Sequence, residues 1–175
     1  MALTFFSPPR RPADEQSRQA AVDRLRLLDG PGDPAFDAIV QEAATALGLP
    51  IAAISLIDRD RQWFLARVGL DATETPRAVS FCGHGILTPE VLVVPDAARD
   101  PRFAGNPLVT DDPDIRFYAG APLVTGDGQA LGALCVIGPE PRITLSESER
   151  ATLTALAAKV VALLEARLAD QPAEG

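Results

Sequence analysis

Apolar residues recur at helical spacing near both ends of the chain and at strand spacing between them. In residues 14–28, Val22, Leu25 and Leu28 recur among charged side chains, and a glycine follows at Gly30. This spacing predicts an amphipathic helix that stops at the glycine.

A second helix is predicted between Asp33 and Gly48. Asp33 is a candidate N-cap, Pro34 suits the first helical position, and Gly48 suits the C-terminal stop. The apolar positions of this segment form one face: Phe36, Ile39, Val40, Ala43 and Leu47. The pattern is typical of a helix packed against a core.

Five short apolar segments predict strands, at residues 51–57, 62–68, 92–94, 116–124 and 130–137. The glycines of Gly126-Asp127-Gly128 suit a hairpin that makes the last two strands antiparallel neighbours. In the last segment, four residues are predicted to point one way and two the other: Leu131, Ala133, Cys135 and Ile137, against Leu134 and Val136. Because segments 51–57 and 130–137 are apolar on both faces, we expect them to be central in an antiparallel sheet of five or six strands.

The last helical pattern runs from Ser146 to about Ala169. Ser146 and Glu149 have the spacing of a capping box. Two apolar stripes follow, one of Leu153, Leu156, Val160 and Leu163, and the other of Ala157, Val161, Leu164 and Leu168. A sheet needs only one stripe, so the second could meet a partner helix; alternatively, both form one wide face buried within a single subunit.

Length and composition suit one globular domain. The chain has 175 residues, of which 47% are hydrophobic. We expect the domain to cover residues 14–169, between a proline-rich disordered leader at 1–13 and a disordered tail at 170–175.

Charge and hydropathy exclude several classes of partner. The net charge is −8 and the pI is about 4.6, so the basic surface that binds nucleic acids or anionic membranes is missing. The N-terminus lacks the pattern of a signal peptide, and no apolar run approaches the roughly 20 residues that span a bilayer. We therefore expect a cytoplasmic protein without nucleic-acid or membrane partners.

The chain contains two cysteines, Cys82 and Cys135, and one histidine, His84. Without an export signal, both thiols are expected to be reduced. Cys82 and His84 are too few donors for a zinc site, and their spacing on a helix does not direct them at each other. We expect Cys82 to be a small buried residue and His84 a hydrogen-bonded residue that lines a cavity.

Several ordered blocks of sequence resemble the GAF domain family. They are DRDRQWFLARVGLDATETPR at 58–77, SFCGHGI at 80–86, VVPDAARDPRF at 93–103, NPLV at 106–109, IRFYAGAPL at 115–123 and LGALCVIGPEPR at 131–142. The resemblance extends from about Arg24 to about Leu168. It implies an α/β fold of the α+β kind, with the terminal helices on one face of the sheet and pocket-covering loops and short helices on the other.

Carried over position by position, the resemblance implies eight ligand-binding residues: Phe81, Cys82, His84, Asp96, Arg99, Phe103, Phe117 and Tyr118. The four aromatic residues among them suit core packing equally well. Arginines in segment 96–103 could bind a carboxylate or phosphate, but its alternating charges also suit local ion pairs. Gly83 and Gly85 stand where the family resemblance predicts alanines, which is expected to loosen the helix by about 1 kcal/mol each and to soften the pocket mouth.

The resemblance implies a non-catalytic sensor that binds a small molecule or a partner and signals through its terminal helices. Terminal helices of similar domains pair in symmetric bundles, so the resemblance implies a two-fold homodimer that buries Val160 and Leu164 or their neighbours. Similar domains precede histidine kinase or diguanylate cyclase domains, so we expect either a separate output protein or a degenerate or excised sensor. The residues identify neither a ligand nor a cofactor.

Three alternatives within the same family have specific signatures. Free methionine-R-sulfoxide reductase is a GAF-fold enzyme, and Cys82 resembles one of its cysteine positions. The segment DIRFY at 114–118, where that enzyme family places its catalytic cysteine, has no thiol. The Cys-His pair of bilin-binding GAF domains and the N-K-x-F-D-E signature of cyclic-nucleotide GAF domains are also missing. The sequence therefore favours the sensor.

Overall fold

A six-stranded antiparallel sheet forms the centre of the computed structural model, which describes residues 5–170. Its strands run in the order β3-β2-β1-β6-β5-β4: β1 (Ile51–Asp58), β2 (Arg61–Val68), β3 (Glu74–Pro76), β4 (Leu92–Val94), β5 (Phe117–Val124) and β6 (Ala130–Gly138). The predicted α+β fold and the central positions of β1 and β6 are confirmed. Strand β3, which pairs with β2 through three residues, was not predicted.

Five helices accompany the sheet: α1 (Glu15–Leu25), α2 (Pro34–Leu47), α3 (Phe81–Gly85), α4 (Pro107–Thr110) and α5 (Glu147–Asp170). Helix α1 ends three residues before the predicted boundary because Arg26 adopts a left-handed conformation, with a φ of 54°. The predicted caps of α2 are present, since Asp33 accepts a hydrogen bond from the Ala35 amide and Gly48 has a φ of 65°. None of the helices within residues 5–170 has the length and apolarity needed to cross a bilayer.

The two faces of the sheet carry separate cores. On the helix face, which packs against α1, α2 and α5, lie β1 residues such as Ile54 and Leu56. On the pocket face, which packs against α3 and the loops, lie Ala53 and Ile57. Alternation along the strand produces this division.

Leu131 departs from the predicted alternation. It belongs to the helix-face core, whereas Ala133 and Cys135 belong to the pocket-face core. The pairing of β5 with β6 shifts register between Leu123 and Val124. This bulge places one extra residue in β6 and reverses the side to which Leu131 points.

The capping box of α5 is confirmed, with reciprocal 3.0 Å hydrogen bonds between Ser146 and Glu149. The two predicted stripes merge into one buried face, formed by Leu153, Leu156, Ala157, Val160 and Leu164. Val160 and Leu164 are fully buried within the chain, which removes these two residues from the expected dimer interface and leaves only their neighbours for it. The wide-face alternative accounts for them.

Helix α1 is anchored by buried charge. Glu15 accepts hydrogen bonds from Arg18 at 2.9 and 3.1 Å and from Arg77 at 2.5 and 3.1 Å. Both arginine side chains are almost completely buried, at 0% and 4% exposure. Although burial raises the pKa of Glu15, the hydrogen bonds from Arg18 and Arg77 outweigh it and lower the pKa to about 2. The carboxylate is therefore ionised at all ordinary pH values.

Residues 5–13, which we call the N-terminal strap, have defined contacts and correct the expectation of a disordered leader over that range. Phe5 accepts a 2.9 Å backbone hydrogen bond from the Gly105 amide, and the Ser7 amide donates one of 2.9 Å to Arg102. These bonds hold the strap against the loop that covers the pocket face. Residues 1–4 and 171–175 lie outside the described part of the chain, and Asp170 still belongs to α5.

Candidate functional site

A cavity of about 180 Å³ lies on the pocket face of the sheet. Its floor is formed by β2, β5 and β6, and its sides by α3 and by residues from segments 70–75 and 108–115. The walls are largely apolar, with a few polar groups directed at one space. Ligand sites in proteins commonly have this composition.

Two thiols and a phenol meet at one wall of the cavity. The Cys82 sulfur lies 3.1 Å from the Tyr118 hydroxyl, and the Cys135 thiol hydrogen-bonds to Cys82. All three side chains are buried and line the cavity. Although they are widely separated in sequence, the pleat of β5 and β6 directs Tyr118 and Cys135 at α3, which carries Cys82.

These groups differ in acidity. Burial raises the pKa of Tyr118 well above its ordinary value. The hydrogen bond to Cys82 and burial raise the pKa of Cys135 in the same direction. The hydrogen bond from Cys135 outweighs burial at Cys82 and lowers its pKa. Cys82 is therefore the more acidic of the two thiols.

The position of the Tyr118 ring depends on Gly120. A Cβ atom at residue 120 would lie 2.3 Å from the Tyr118 hydroxyl oxygen and 2.8 Å from the ring carbon that carries it. Both distances are shorter than van der Waals contact. The missing side chain is therefore what allows Tyr118 to lie along β5 and reach Cys82.

A second aromatic layer supports the wall from behind. The Phe81 ring stacks on the Phe103 ring with 4.0 Å between centroids, and His84 meets Phe103 edge-on at 4.9 Å. His84 also donates through Nε2 to the Ser7 carbonyl of the N-terminal strap, at 2.9 Å. Desolvation lowers the pKa of His84, so the imidazole is neutral at pH 7. Its partner is a carbonyl, which places the proton on Nε2.

Gly83 allows close packing around α3. The close packing does not support the expectation that this glycine softens the pocket mouth. A Cβ atom at residue 83 would lie 2.4 Å from Ser80 Oγ and 2.8 Å from Pro9 Cγ. The N-cap of α3 and the N-terminal strap therefore both require a glycine here. At Gly85 the nearest atom to a Cβ, the Tyr118 hydroxyl oxygen, would be 3.9 Å away, so that position is not crowded.

Three of the eight predicted site residues line the cavity: Phe81, Cys82 and Tyr118. Phe103 and His84 lie in the layer behind them. The remaining three, Asp96, Arg99 and Phe117, lie elsewhere.

The three outlying residues each have a local role. Asp96 caps a short 3₁₀ turn by accepting from the Ala98 amide at 3.1 Å. Arg99 is 88% exposed and lies 3.7 Å from Asp96. Phe117 precedes Tyr118 in β5 and therefore points to the helix face, where it is buried. Asp96 and Arg99 therefore follow the alternative interpretation of segment 96–103, in which its charges serve local caps and ion pairs.

Sequence reasoning missed most of the polar groups at the cavity. Gln62 of β2 is 5% exposed, and its amide nitrogen donates to Thr75 Oγ1 at 3.0 Å. Its buried oxygen Oε1 has no hydrogen-bond partner among residues 5–170. Asp71 and Asp112 also belong to the cavity lining. A glutamine within an apolar strand could have indicated a polar group at the cavity. The two aspartates lie in loops whose fold no pattern defines.

No group of three or more histidine, cysteine, aspartate or glutamate residues within 5–170 is placed to hold a metal ion.

The chain matches a protein family and is similar in sequence to a longer bacterial protein. The profile of the GAF domain family matches residues 32–164. A cyclic di-GMP phosphodiesterase of Pseudomonas aeruginosa is 51% identical over 157 residues, which are 90% of this chain and 27% of that protein. The chain therefore spans about a quarter of its relative's length.

Solved structures share the fold at low sequence identity. The GAF domain of a phosphoenolpyruvate-protein phosphotransferase from Acinetobacter superposes with a TM-score of 0.66 at 18% identity, covering 91% of this chain and 96% of that one. A free methionine-R-sulfoxide reductase from Neisseria meningitidis, solved with its substrate, superposes with a TM-score of 0.62 at 19% identity, covering 95% and 98%.

Proposed function

This chain belongs to the GAF domain family, and from that premise we propose that it is a non-catalytic regulatory domain that binds a small molecule in the cavity. The observation that carries the proposal is the cavity of about 180 Å³ on the pocket face. It is walled by the same strands whose opposite sides pack against the terminal helices. A ligand bound in the cavity contacts the sheet on the face opposite to α1, α2 and α5, and so alters the surface against which these helices pack.

The route from cavity to helices runs through adjacent residues. Tyr118 lines the cavity, and its neighbour Phe117 packs in the helix-face core with Leu156 and Val160 of α5. A ligand that shifts the Tyr118 ring therefore acts on a strand that α5 contacts directly. We propose that α5 carries the signal.

The proposed output is an enzyme of cyclic di-GMP signalling or a histidine kinase. The relative named a cyclic di-GMP phosphodiesterase is much longer than this chain, so its activity is attributed here only to an output that this domain regulates. A diguanylate cyclase is the corresponding synthetic output. The proposed setting is cytoplasmic.

The test of ligand binding is native mass spectrometry of freshly purified protein, repeated after denaturation. We expect the native mass to exceed the denatured mass by that of one small molecule. Ala72 lines the cavity, so Ala72→Leu should reduce retention, whereas Ala155→Leu, at an exposed position of α5, should not. Hydrogen exchange in α5 should slow when the molecule is bound. Identical native and denatured masses in the unmodified protein would contradict the proposal.

The enzymatic alternative, a reductase of the free methionine-R-sulfoxide type, is favoured by one observation, the meeting of Cys82 and Cys135 at the cavity wall. The region from Asp111 to Ala121 supplies no thiol. In a thioredoxin-coupled assay of the same preparations, we expect no turnover of free methionine-R-sulfoxide. Turnover that disappears in Cys82→Ser would replace the regulatory proposal with the enzymatic one.

We also propose that the chain forms a homodimer through α5. With Val160 and Leu164 buried in the subunit, the partly exposed apolar residues of the helix are Val161, Leu163 and Leu168. Their side chains lie next to the solvent-facing side of the helix, where a second helix could cover them.

Light scattering at micromolar concentration should report twice the 18.5 kDa monomer mass. Leu163→Glu should shift the mass toward 18.5 kDa, because it places a charge in the proposed interface. Ala151→Glu, at an exposed position in the first turns of α5, should leave the dimer intact. A monomer in the unmodified protein would refute this interface.

A further inference from the structure

The two cysteines of the chain meet at one cavity although they belong to different elements. Cys82 comes from α3 and Cys135 from β6, both line the cavity, and the Cys135 thiol hydrogen-bonds to Cys82. Both side chains belong to the pocket-face core, at 1% and 2% exposure. Since the chain has no other cysteine, each thiol is the only disulfide partner that the other can find within the chain.

Cys82 is the thiol of this pair that is suited to react first. Its sulfur lies 3.1 Å from the Tyr118 hydroxyl. Burial raises the pKa of that phenol, so the hydroxyl stays protonated and can donate. The hydrogen bonds from Cys135 and Tyr118 favour the Cys82 thiolate and lower the pKa of Cys82 in spite of burial. The thiolate is the nucleophilic form of cysteine, and a low-pKa thiol next to a second thiol is typical of redox-responsive sites.

The size of the cavity limits which oxidants reach these thiols. At about 180 Å³ it has room for a few water-sized molecules, since one water takes about 30 Å³. Hydrogen peroxide is only slightly larger than water and carries no charge, so largely apolar walls do not exclude it. Bulky or charged oxidants meet thiols that are almost completely buried. The cavity therefore favours hydrogen peroxide as the oxidant.

We propose that Cys82 and Cys135 are a peroxide-responsive pair, in which hydrogen peroxide oxidises Cys82 and Cys135 converts the product into an intrachain disulfide. The Cys82 thiolate attacks one peroxide oxygen and the O–O bond breaks. The departing hydroxide takes up a proton and leaves as water, so that Cys82 becomes a sulfenic acid. The Cys135 sulfur then attacks the Cys82 sulfur, and the sulfenic hydroxyl leaves with the Cys135 proton as a second water. Two electrons pass from the two thiols to one peroxide.

The first step of this sequence prepares the second. The hydrogen bond to Cys82, burial and the negative charge of the Cys82 thiolate together raise the pKa of Cys135. In the sulfenic acid the Cys82 sulfur no longer carries that charge, so Cys135 gives up its proton more readily. The inference does not require a bound ligand and is therefore independent of the proposed ligand-binding function.

Closing the disulfide requires the two sulfur atoms to approach each other. An S–S bond is about 2.0 Å long, which is shorter than the hydrogen-bonded contact that it replaces. Strand β6 is held in place because it pairs with β1 on one side and with β5 on the other. Helix α3 has only 5 residues. We therefore expect α3 to carry Cys82 toward Cys135.

The test exposes the folded chain, first reduced with dithiothreitol and freed of it, to hydrogen peroxide at pH 7. The remaining thiols are blocked with iodoacetamide in denaturant, and the intact mass is measured. We expect the protein to lose the mass of two hydrogen atoms, to take up no iodoacetamide and to run as a single chain on a non-reducing gel. Dithiothreitol added before blocking should restore both thiols. Two free thiols after peroxide, oxygen adducts without a disulfide, or a disulfide between two chains would each overturn the proposal.

Single substitutions separate the roles of the two cysteines. Cys135→Ala should stop the reaction at the sulfenic acid, which dimedone traps as one adduct on Cys82. Cys82→Ala should leave Cys135 reduced at the same peroxide concentration, because burial still disfavours its thiolate. Equal dimedone labelling of the two variants would contradict the assignment of Cys82 as the thiol that reacts first.

A filled cavity should slow the reaction. Ala72 lines the cavity, so Ala72→Leu reduces the space through which peroxide reaches Cys82 and should slow disulfide formation several-fold. Ala155→Leu, at an exposed position of α5, is the matched control and should react at the rate of the unmodified protein. Equal rates in these two variants would show that peroxide reaches Cys82 by another route, and would overturn the cavity as the site of the reaction.

Discussion

Replacing Glu15 by glutamine is expected to lower the free energy of unfolding by about 3 kcal/mol at neutral pH. The substitution removes the carboxylate that Arg18 and Arg77 share, and leaves two guanidinium groups buried at 0% and 4% exposure. Removing one partner of a buried ion pair is costly because the remaining charge stays desolvated. Urea denaturation at pH 7 measures the effect.

The control is Glu147→Gln, the same substitution in the first turn of α5, where the side chain is exposed. It should cost no more than about 0.5 kcal/mol. An equal loss in both variants would show that the Glu15 cluster contributes no more than a surface charge.

Acid should remove the difference between wild type and Glu15→Gln. The folded-state pKa of Glu15 is about 2, below the ordinary value of 4.5. A lowered carboxyl pKa contributes stability that is present above pH 4.5 and is lost as the pH falls from 4.5 toward 2. The two proteins should therefore differ most at neutral pH and converge toward pH 2. A difference independent of pH would contradict this account.

Gly120→Ala is expected to destabilise the protein by about 2 kcal/mol and to disrupt the cavity wall. The new methyl group would lie 2.3 Å from the Tyr118 hydroxyl oxygen. Tyr118 is 1% exposed, so its ring cannot move aside without displacing its neighbours, and overpacking of this kind costs about 1–3 kcal/mol. The expected displacement breaks the contact with Cys82.

A double-mutant cycle with Tyr118→Phe tests the cause. Without the hydroxyl, the closest clash with the new methyl group disappears, so Gly120→Ala should cost at least about 0.5 kcal/mol less in the Tyr118→Phe background. Denaturant unfolding of all four proteins gives the coupling. Additive effects would mean that the cost of Gly120→Ala arises elsewhere in β5.

Regular elements could be predicted because local spacing determines them. The two-sided apolar pattern of β1 and β6 requires cover on both faces, which only central strands receive. The caps of α2 and α5 are short-range hydrogen bonds that a few neighbouring residues specify. Leu131 was assigned to the wrong face because a bulge changes the alternation, and nothing in the local spacing marks where the extra residue lies.

The candidate site was harder to predict because it is built from contacts distant in sequence. Cys82 and Cys135 come together through the stacking of α3 on the sheet, which periodicity does not reveal. The family resemblance predicted Arg99 to be a ligand contact, but its place at the end of a short 3₁₀ turn leaves it 88% exposed. Val160 and Leu164 were assigned to the dimer interface for a related reason, since spacing shows that two stripes exist but not how wide a surface the sheet covers.

At Phe5 and Ser7 the N-terminal strap is attached through its backbone. The Phe5 carbonyl, the Ser7 amide and the Ser7 carbonyl make the bonds to the covering loop and to His84. A backbone bond does not depend on the side chain that accompanies it, so substitutions at these two positions should be nearly neutral during evolution. Pro9 packs against Gly83, where a Cβ atom would lie 2.8 Å from Pro9 Cγ, so these two residues should instead change together. Diversity among close relatives is therefore expected at residues 5 and 7, and covariation between residues 9 and 83.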